Sequence, residues 1–263
     1  MNNPRNILFE VCCTCLEDAQ SALRQGAGRV ELCSCLECGG ITPTWLHRLS
    51  EESELREPKF DGLSFLDRSH VLIRCRPGDF VYTDPEVEQM CQSIRFCRQA
   101  DVKGVVIGAL TPEGHPDVAA LKHMITEATE PLTAAISTTD DSQPVIRPPL
   151  TLVFHRAFDR GAEPLGFLET IIGLGFNALL TSGQGTTAEE GIPLLAQLVR
   201  QAAGRIQIMA GKGVTLQNVT KIIQRTRVPA VHMSYRPGID RVAHRIRSGA
   251  PADLHKSPER FPG

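Results

Sequence analysis

Eight times along the chain a short apolar or β-branched run gives way to a longer amphipathic stretch, and few architectures accept that rhythm. The runs of strand length are Ile7–Cys13, Arg29–Cys33, His70–Arg74, Gly104–Gly108, Leu150–His155, Ala178–Thr181, Ile206–Met209 and Ala230–Met233. Helical patterns lie between them at Leu16–Gln25, Trp45–Ser50, Asp84–Gln99, Pro116–Glu130, Pro164–Leu174, Ala188–Gln201 and Leu216–Gln224, and a weak or irregular eighth is expected at Arg241–Arg247. Each run is too apolar for an exposed edge, which suits a parallel sheet covered by helices. Helices end near glycine before the next strand, as in Gln25-Gly26 and Leu174-Gly175, where the left-handed turn redirects the chain. Eight such units in 263 residues predict one α/β domain, a (β/α)8 TIM barrel. An open doubly wound sheet would call for a G-x-G-x-x-G turn after the first strand, and none is there.

Two stretches break the rhythm, 51–69 and 134–149, and both read as surface insertions; the tail 251–263 is polar and carries proline. A net charge of −2 gives no reason to expect nucleic acid or an anionic membrane as partner. No stretch reaches the apolar length of a membrane span, and the first residues lack a secretory h-region, so a cytosolic location is expected. The nine cysteines, an odd number, should then be thiols rather than disulfides.

In such a barrel, side chains at strand C-termini and in the following loops face the functional mouth, and positions two apart share a face. Glu10 and Cys12 therefore point the same way on the first strand, as do Glu31 and Cys33 on the second. Arg74 is followed by Arg76, His155 closes the fifth strand, and His232 precedes Ser234 by two. Glutamate inside an apolar strand needs a partner. One reading is a structural ion pair with Arg74 or Arg76; the other is acid–base work beside His155.

Six of the nine cysteines fall between residues 12 and 38. Parallel neighbours lie about 4.8 Å apart, so the sulfurs of Cys12 and Cys33 can approach closely enough to share one soft ion. Two thiolates suit Cu(I); adding Cys35 or Cys38 would admit zinc. Some of the others, Cys13, Cys91 and Cys97, are better placed as small core residues. Gly211-Lys212-Gly213 after the seventh strand offers backbone N–H groups and a cation, and the Ser182 turn after the sixth could donate to an anion. No nucleophile-elbow triad or H-E-x-x-H motif occurs.

Taken together and in order, these pieces resemble the CutC copper homeostasis family across about residues 7–235. The matching segments are Glu10-Val11-Cys12, Arg29-Val30-Glu31-Leu32-Cys33-Ser34, Gly39-Gly40-Ile41-Thr42-Pro43, Arg76 with Gly78-Asp79-Phe80-Val81-Tyr82, Gly108-Ala109-Leu110-Thr111, Glu113-Gly114-His115, His155-Arg156-Ala157-Phe158-Asp159, Leu180-Thr181-Ser182-Gly183, and His232 with Ser234. The resemblance implies a cytosolic barrel concerned with copper, ligands at Cys12 and Cys33, self-association, and a mouth gathering Glu10, Glu31, Arg74, Arg76, His155 and Asp159. Three positions depart from the family pattern: Thr14 replaces an acidic residue, Cys75 a proline and Lys212 a glycine.

Two functions follow as expectations. The first is a copper-binding protein that holds Cu(I) through Cys12 and Cys33. The second is an enzyme acting on a small anionic or phosphorylated substrate. It would use Glu10, Glu31, Arg74, His155 and Asp159 for chemistry, and Arg76, Ser182, Gly211, Lys212, Gly213, His232 and Ser234 for binding.

Overall fold

A computed structural model describes residues 7–57, 59–130 and 148–248. The eight strands are β1 (Leu8–Cys13), β2 (Arg29–Leu32), β3 (Ser69–Leu72), β4 (Gly104–Ile107), β5 (Thr151–Phe154), β6 (Ala178–Thr181), β7 (Gln207–Ala210) and β8 (Ala230–Ser234). They pair in sequence order, all parallel, and β8 closes on β1. The helices around them are α1 (Leu16–Arg24), α2 (Arg48–Glu51), α3 (Asp84–Ala100), α4 (Val118–Thr129), α5 (Pro164–Gly173), α6 (Ile192–Ala202), α7 (Val219–Thr226) and α8 (Ile239–Ser248). The predicted TIM barrel is therefore the observed fold.

The alternation of side chains along each strand divides the apolar residues into two bodies. One lies between barrel and helices and includes Val11, Val30, Val71, Val105, Phe154 and Leu179; the other fills the barrel with Leu72, Val106, Val153, Leu180 and Met209. Cys12 and Cys33 belong to the inner body. A one-residue slip of β1 would send Glu10 into the apolar layer between strands and helices, so the pattern fixes the register.

Two expectations are corrected. The irregular helix is the second, not the eighth. α8 runs ten residues and buries Ile239, Val242, Ala243 and Ile246 at helical spacing, which gives it a continuous face to pack. α2 keeps only four residues because Leu49 is its one buried anchor. The stretch 51–69 is likewise no loose insertion. Leu55, Phe65 and Leu66 are buried, and two short 3-10 turns, Ser53–Arg56 and Leu66–Arg68, carry them. Three separated anchors leave no period to read. The other predicted insertion, 134–149, and the tail 251–263 lie outside the described residues, except for positions 148 and 149.

Candidate functional site

A cavity of about 720 Å³ opens at the C-terminal ends of the strands, the end where a barrel of this kind carries its chemistry. Of the residues singled out from sequence, Cys12, Glu31, Arg74, His155, Asp159, Lys212, Gly213, His232 and Ser234 line it. Glu10, Cys33, Arg76, Ser182 and Gly211 are not among its lining.

The sulfurs of Cys12 and Cys33 are 2.9 Å apart. Both residues are buried. β1 and β2 pair with Cys12 opposite Glu31, so Cys33 sits one step diagonal, and the backbone N–H of Cys33 donates to the Cys13 carbonyl to hold that offset. The contact with Cys33, burial and the nearby Glu31 carboxyl all push the Cys12 thiol up, so it keeps its proton at neutral pH. Cys12, Glu31 and His232 also form a mixed set whose ligand atoms all lie within 4.8 Å of one another.

Cys35 and Cys38 depart from the all-thiol expectation, because they are joined as a disulfide. Cys35 takes a left-handed conformation and the turn Leu36–Cys38 follows it, which brings the two Cα atoms to 5.5 Å, within disulfide reach. In this form neither sulfur can join Cys33 on a metal.

Below the sulfurs lies a network of buried charge. Glu10 pairs with Arg29, and its other oxygen lies 2.8 Å from Nδ1 of His232, whose Nε2 is 3.4 Å from Glu31. His70 approaches the same Glu10 carboxylate at 3.9 Å. Burial alone would raise the pKa of Glu10, but Arg29, His232 and His70 overcome it and hold the carboxyl well below the usual range. Burial raises Glu31, and the charge of Glu10 adds to that while His232 opposes it. Burial opposes protonation of His232, yet Glu31 and Glu10 win and raise its pKa. His70 falls to about 3, driven by burial and by the Arg29 charge.

The expected partners of Glu10, Arg74 and Arg76, are thus replaced by Arg29 and His232. Register explains it: the Cα of Glu10 faces Arg29 on one side and His232 on the other. On β3, His70 is the residue level with Glu31, so Arg74 lies four positions farther towards the mouth. That is roughly 13 Å of strand. Arg29 and His70 went unread in the sequence, although Arg29 stands two before Glu31 and so shares its face.

Arg74 is buried, and its guanidinium donates to the carbonyls of Gly40 (2.8 Å), Gly78 (2.9 Å) and Cys38 (3.3 Å). Its carbon stands 4.7 Å over the Phe80 ring. Arg76 turns to the flank, where it bonds Glu86 and Asp79 and stacks on Tyr82. It is spoken for by those carboxylates and does not reach the mouth.

His155 sits just past β5, and its Nδ1 accepts from the Ala157 N–H at 3.2 Å. The ring proton is therefore assigned to Nε2, which has no partner. Burial, reinforced by the Arg74 charge, lowers its pKa to about 3, so the imidazole is a neutral donor. The turn after β6 does hold an anion, but that anion is Asp159. The Thr181 hydroxyl (2.5 Å) and the N–H groups of Ser182 (3.0 Å) and Gln184 (3.3 Å) all donate to its carboxylate, and Arg156 pairs with it at 3.0 Å. The Ser182 hydroxyl donates to the Gly185 carbonyl. A Cβ on Gly211 would stand 2.5 Å from Cδ1 of Leu180, a side-chain end that would have to turn aside.

Comparison with known proteins agrees with this architecture. Residues 7–237 match the CutC family. A copper homeostasis protein cutC homolog of Mus musculus is 38% identical over 233 residues, covering 89% of this chain and 75% of that one. A CutC family protein of Bacteroides fragilis is 39% identical over 235 residues, covering 89% and 82%. Among solved structures, the putative copper homeostasis protein CutC from Streptococcus agalactiae superposes with a TM-score of 0.71 at 31% identity, over 88% of this chain and 99% of that one. The sequence match over nearly the whole barrel, joined to the same closed strand order, settles the lineage: this chain belongs to the CutC family.

Proposed function

We propose that this protein binds Cu(I) in the cytosol through Cys12 and Cys33. The observation that carries the reading is the direct contact of the two sulfurs at 2.9 Å, both buried, with Cys12 at the wall of the cavity. Paired soft donors favour Cu(I) over hard cations. The protonated Cys12 thiol must release its proton to take a metal, so binding here tightens as pH rises. The chain's own contribution is to hold both sulfurs on adjacent strands, with the Glu10–His232–Glu31 network fixed beneath them. Among the described residues no helix is long and apolar enough to cross a membrane. Relatives that carry the copper homeostasis name support the same reading. Self-association, implied by the family, is read by analytical ultracentrifugation.

The test is anaerobic titration with Cu(I) against a competing chelator, in the wild type and in Cys12→Ser/Cys33→Ser. A loss of more than about tenfold in affinity, roughly 1.4 kcal/mol, is expected in the variant. Equal affinity and stoichiometry in both proteins would overturn the assignment.

A further inference from the structure

We propose that the same cavity binds a small phosphorylated organic anion, with its phosphoryl group held at the rim by Lys212 and Arg236. Room is the first ground. About 720 Å³ is the size of a metabolite site and far exceeds what a metal ion between two buried sulfurs requires.

Charge is the second ground. The lining carries Arg74, Arg156, Arg160, Lys212 and Arg236, against the carboxyl groups of Glu31 and Asp159 alone. Asp159 is already neutralised by Arg156 and by the donors of the β6 turn, so it offers nothing to the rest. Among the described residues the side chains of Lys212 and Arg236 have no hydrogen-bond or ion-pair partner, whereas Arg48, Arg76, Arg95 and Arg205 on the outer surface each have at least one carboxylate.

The third ground is independent of the rim. Arg74 lines the cavity while only 4% exposed, meets carbonyl oxygens but no carboxylate, and leaves its Nε without a partner. A buried cation lacking a counter-charge is costly, and an anion entering the cavity relieves that cost. The neutral His155 faces the same space and offers an Nε2–H with no acceptor. Lys212 also holds a left-handed backbone, φ +76°, between Gly211 and Gly213, so the turn accepts an unfavourable conformation at the position that carries the cation. Cations on the loops after β7 and β8 sit where barrels of this type commonly take phosphate.

This site does not depend on Cys12 and Cys33 binding copper. Inorganic phosphate is the probe. The wild type, Cys12→Ser/Cys33→Ser and Lys212→Gln/Arg236→Gln are titrated with it, and thermal unfolding is followed against sodium chloride at matched ionic strength. Glutamine leaves the backbone demand at 212 unchanged. Phosphate should raise the midpoint in a saturable way beyond the chloride control in the first two proteins, and the rise should vanish in the third. Isothermal calorimetry on the same three proteins supplies a readout that does not rely on stability. No phosphate-specific rise in the wild type, or an undiminished one in Lys212→Gln/Arg236→Gln, would overturn the proposal. A rise that persists in Cys12→Ser/Cys33→Ser keeps it standing whatever the fate of the copper reading.

Discussion

Gly108 lies so close to His155 that a Cβ on it would stand 2.5 Å from the imidazole Nδ1. The same accommodation occurs lower in the barrel, where a Cβ on Gly104 would meet Nε2 of His70 at 2.8 Å. At Gly108 the imidazole takes that space, whereas at Gly104 the Thr151 carbonyl oxygen, 2.5 Å from the same point, shares it with His70. Gly108 does not have a positive φ, so its requirement is steric and not conformational.

Gly108→Ala should therefore lower stability by about 1–3 kcal/mol, the usual range for forcing a methyl into a filled core. Gly166→Ala is the contrasting case. That glycine lies in α5 with nothing near its missing Cβ, so alanine there should stabilise by about 0.5–1 kcal/mol. Chemical denaturation of both variants reads the difference, and equal effects of the same sign would refute the steric account.

Glu10 is the anchor of the buried charge network, so its removal should be felt far more than that of a surface acid. Glu10→Gln leaves Arg29 and His232 facing a neutral amide inside the barrel. Breaking a buried pair from one side costs about 3–5 kcal/mol. Replacing Arg29 by Met in the same chain should recover part of the loss, and a double-mutant cycle measures the coupling. Additive losses would show that the two groups do not act as a pair.

The barrel was legible from the sequence because its signal is periodic and repeated: eight apolar runs admit few closed solutions. The contact of Cys12 with Cys33 was legible too, since it needs only adjacent strands and a shared direction. What escaped were properties of register. Nothing in the spacing of residues 10, 29, 31 and 70 states which of them stand level, and the register puts Arg29 level with Glu10 and Arg74 several residues nearer the mouth. The role of Asp159 escaped for a related reason. A loop carboxylate and a hydroxyl-rich turn read as chemistry and anion site until the fold closes one onto the other.

His155 sets a pH dependence whose direction can be stated. Its pKa is about 3 in the folded protein and near 6.5 when exposed, so between those values the unfolded chain holds one more proton. Stability then rises with pH and falls on acidification, by about 1.4 kcal/mol per pH unit. His70 behaves alike, with a folded value of about 3. His155→Gln should make the stability profile between pH 5 and 6 shallower by about that amount, a window above the range where Glu10 begins to contribute. An unchanged slope would show that His155 is charged in the native state.

Asp159 offers a test of whether the turn after β6 is organised by a carboxylate rather than by a ligand. Its oxygens take the Thr181 hydroxyl and the N–H groups of Ser182 and Gln184. Asp159→Ala strips all three of their acceptor. Ser182 is buried, so its N–H cannot turn to water, and an unsatisfied buried donor costs about 1–3 kcal/mol. Asp159→Asn keeps one acceptor oxygen and loses the charge, so its effect should fall between Ala and the wild type. Hydrogen exchange localises the consequence: amides at Ser182 and Gln184 should exchange faster in Asp159→Ala, while those of β1 and β2, remote from the turn, keep their protection. Unaltered exchange at the turn would mean that its backbone is held by β6 and α6 alone, and the carboxylate of Asp159 would then be free to meet a bound molecule.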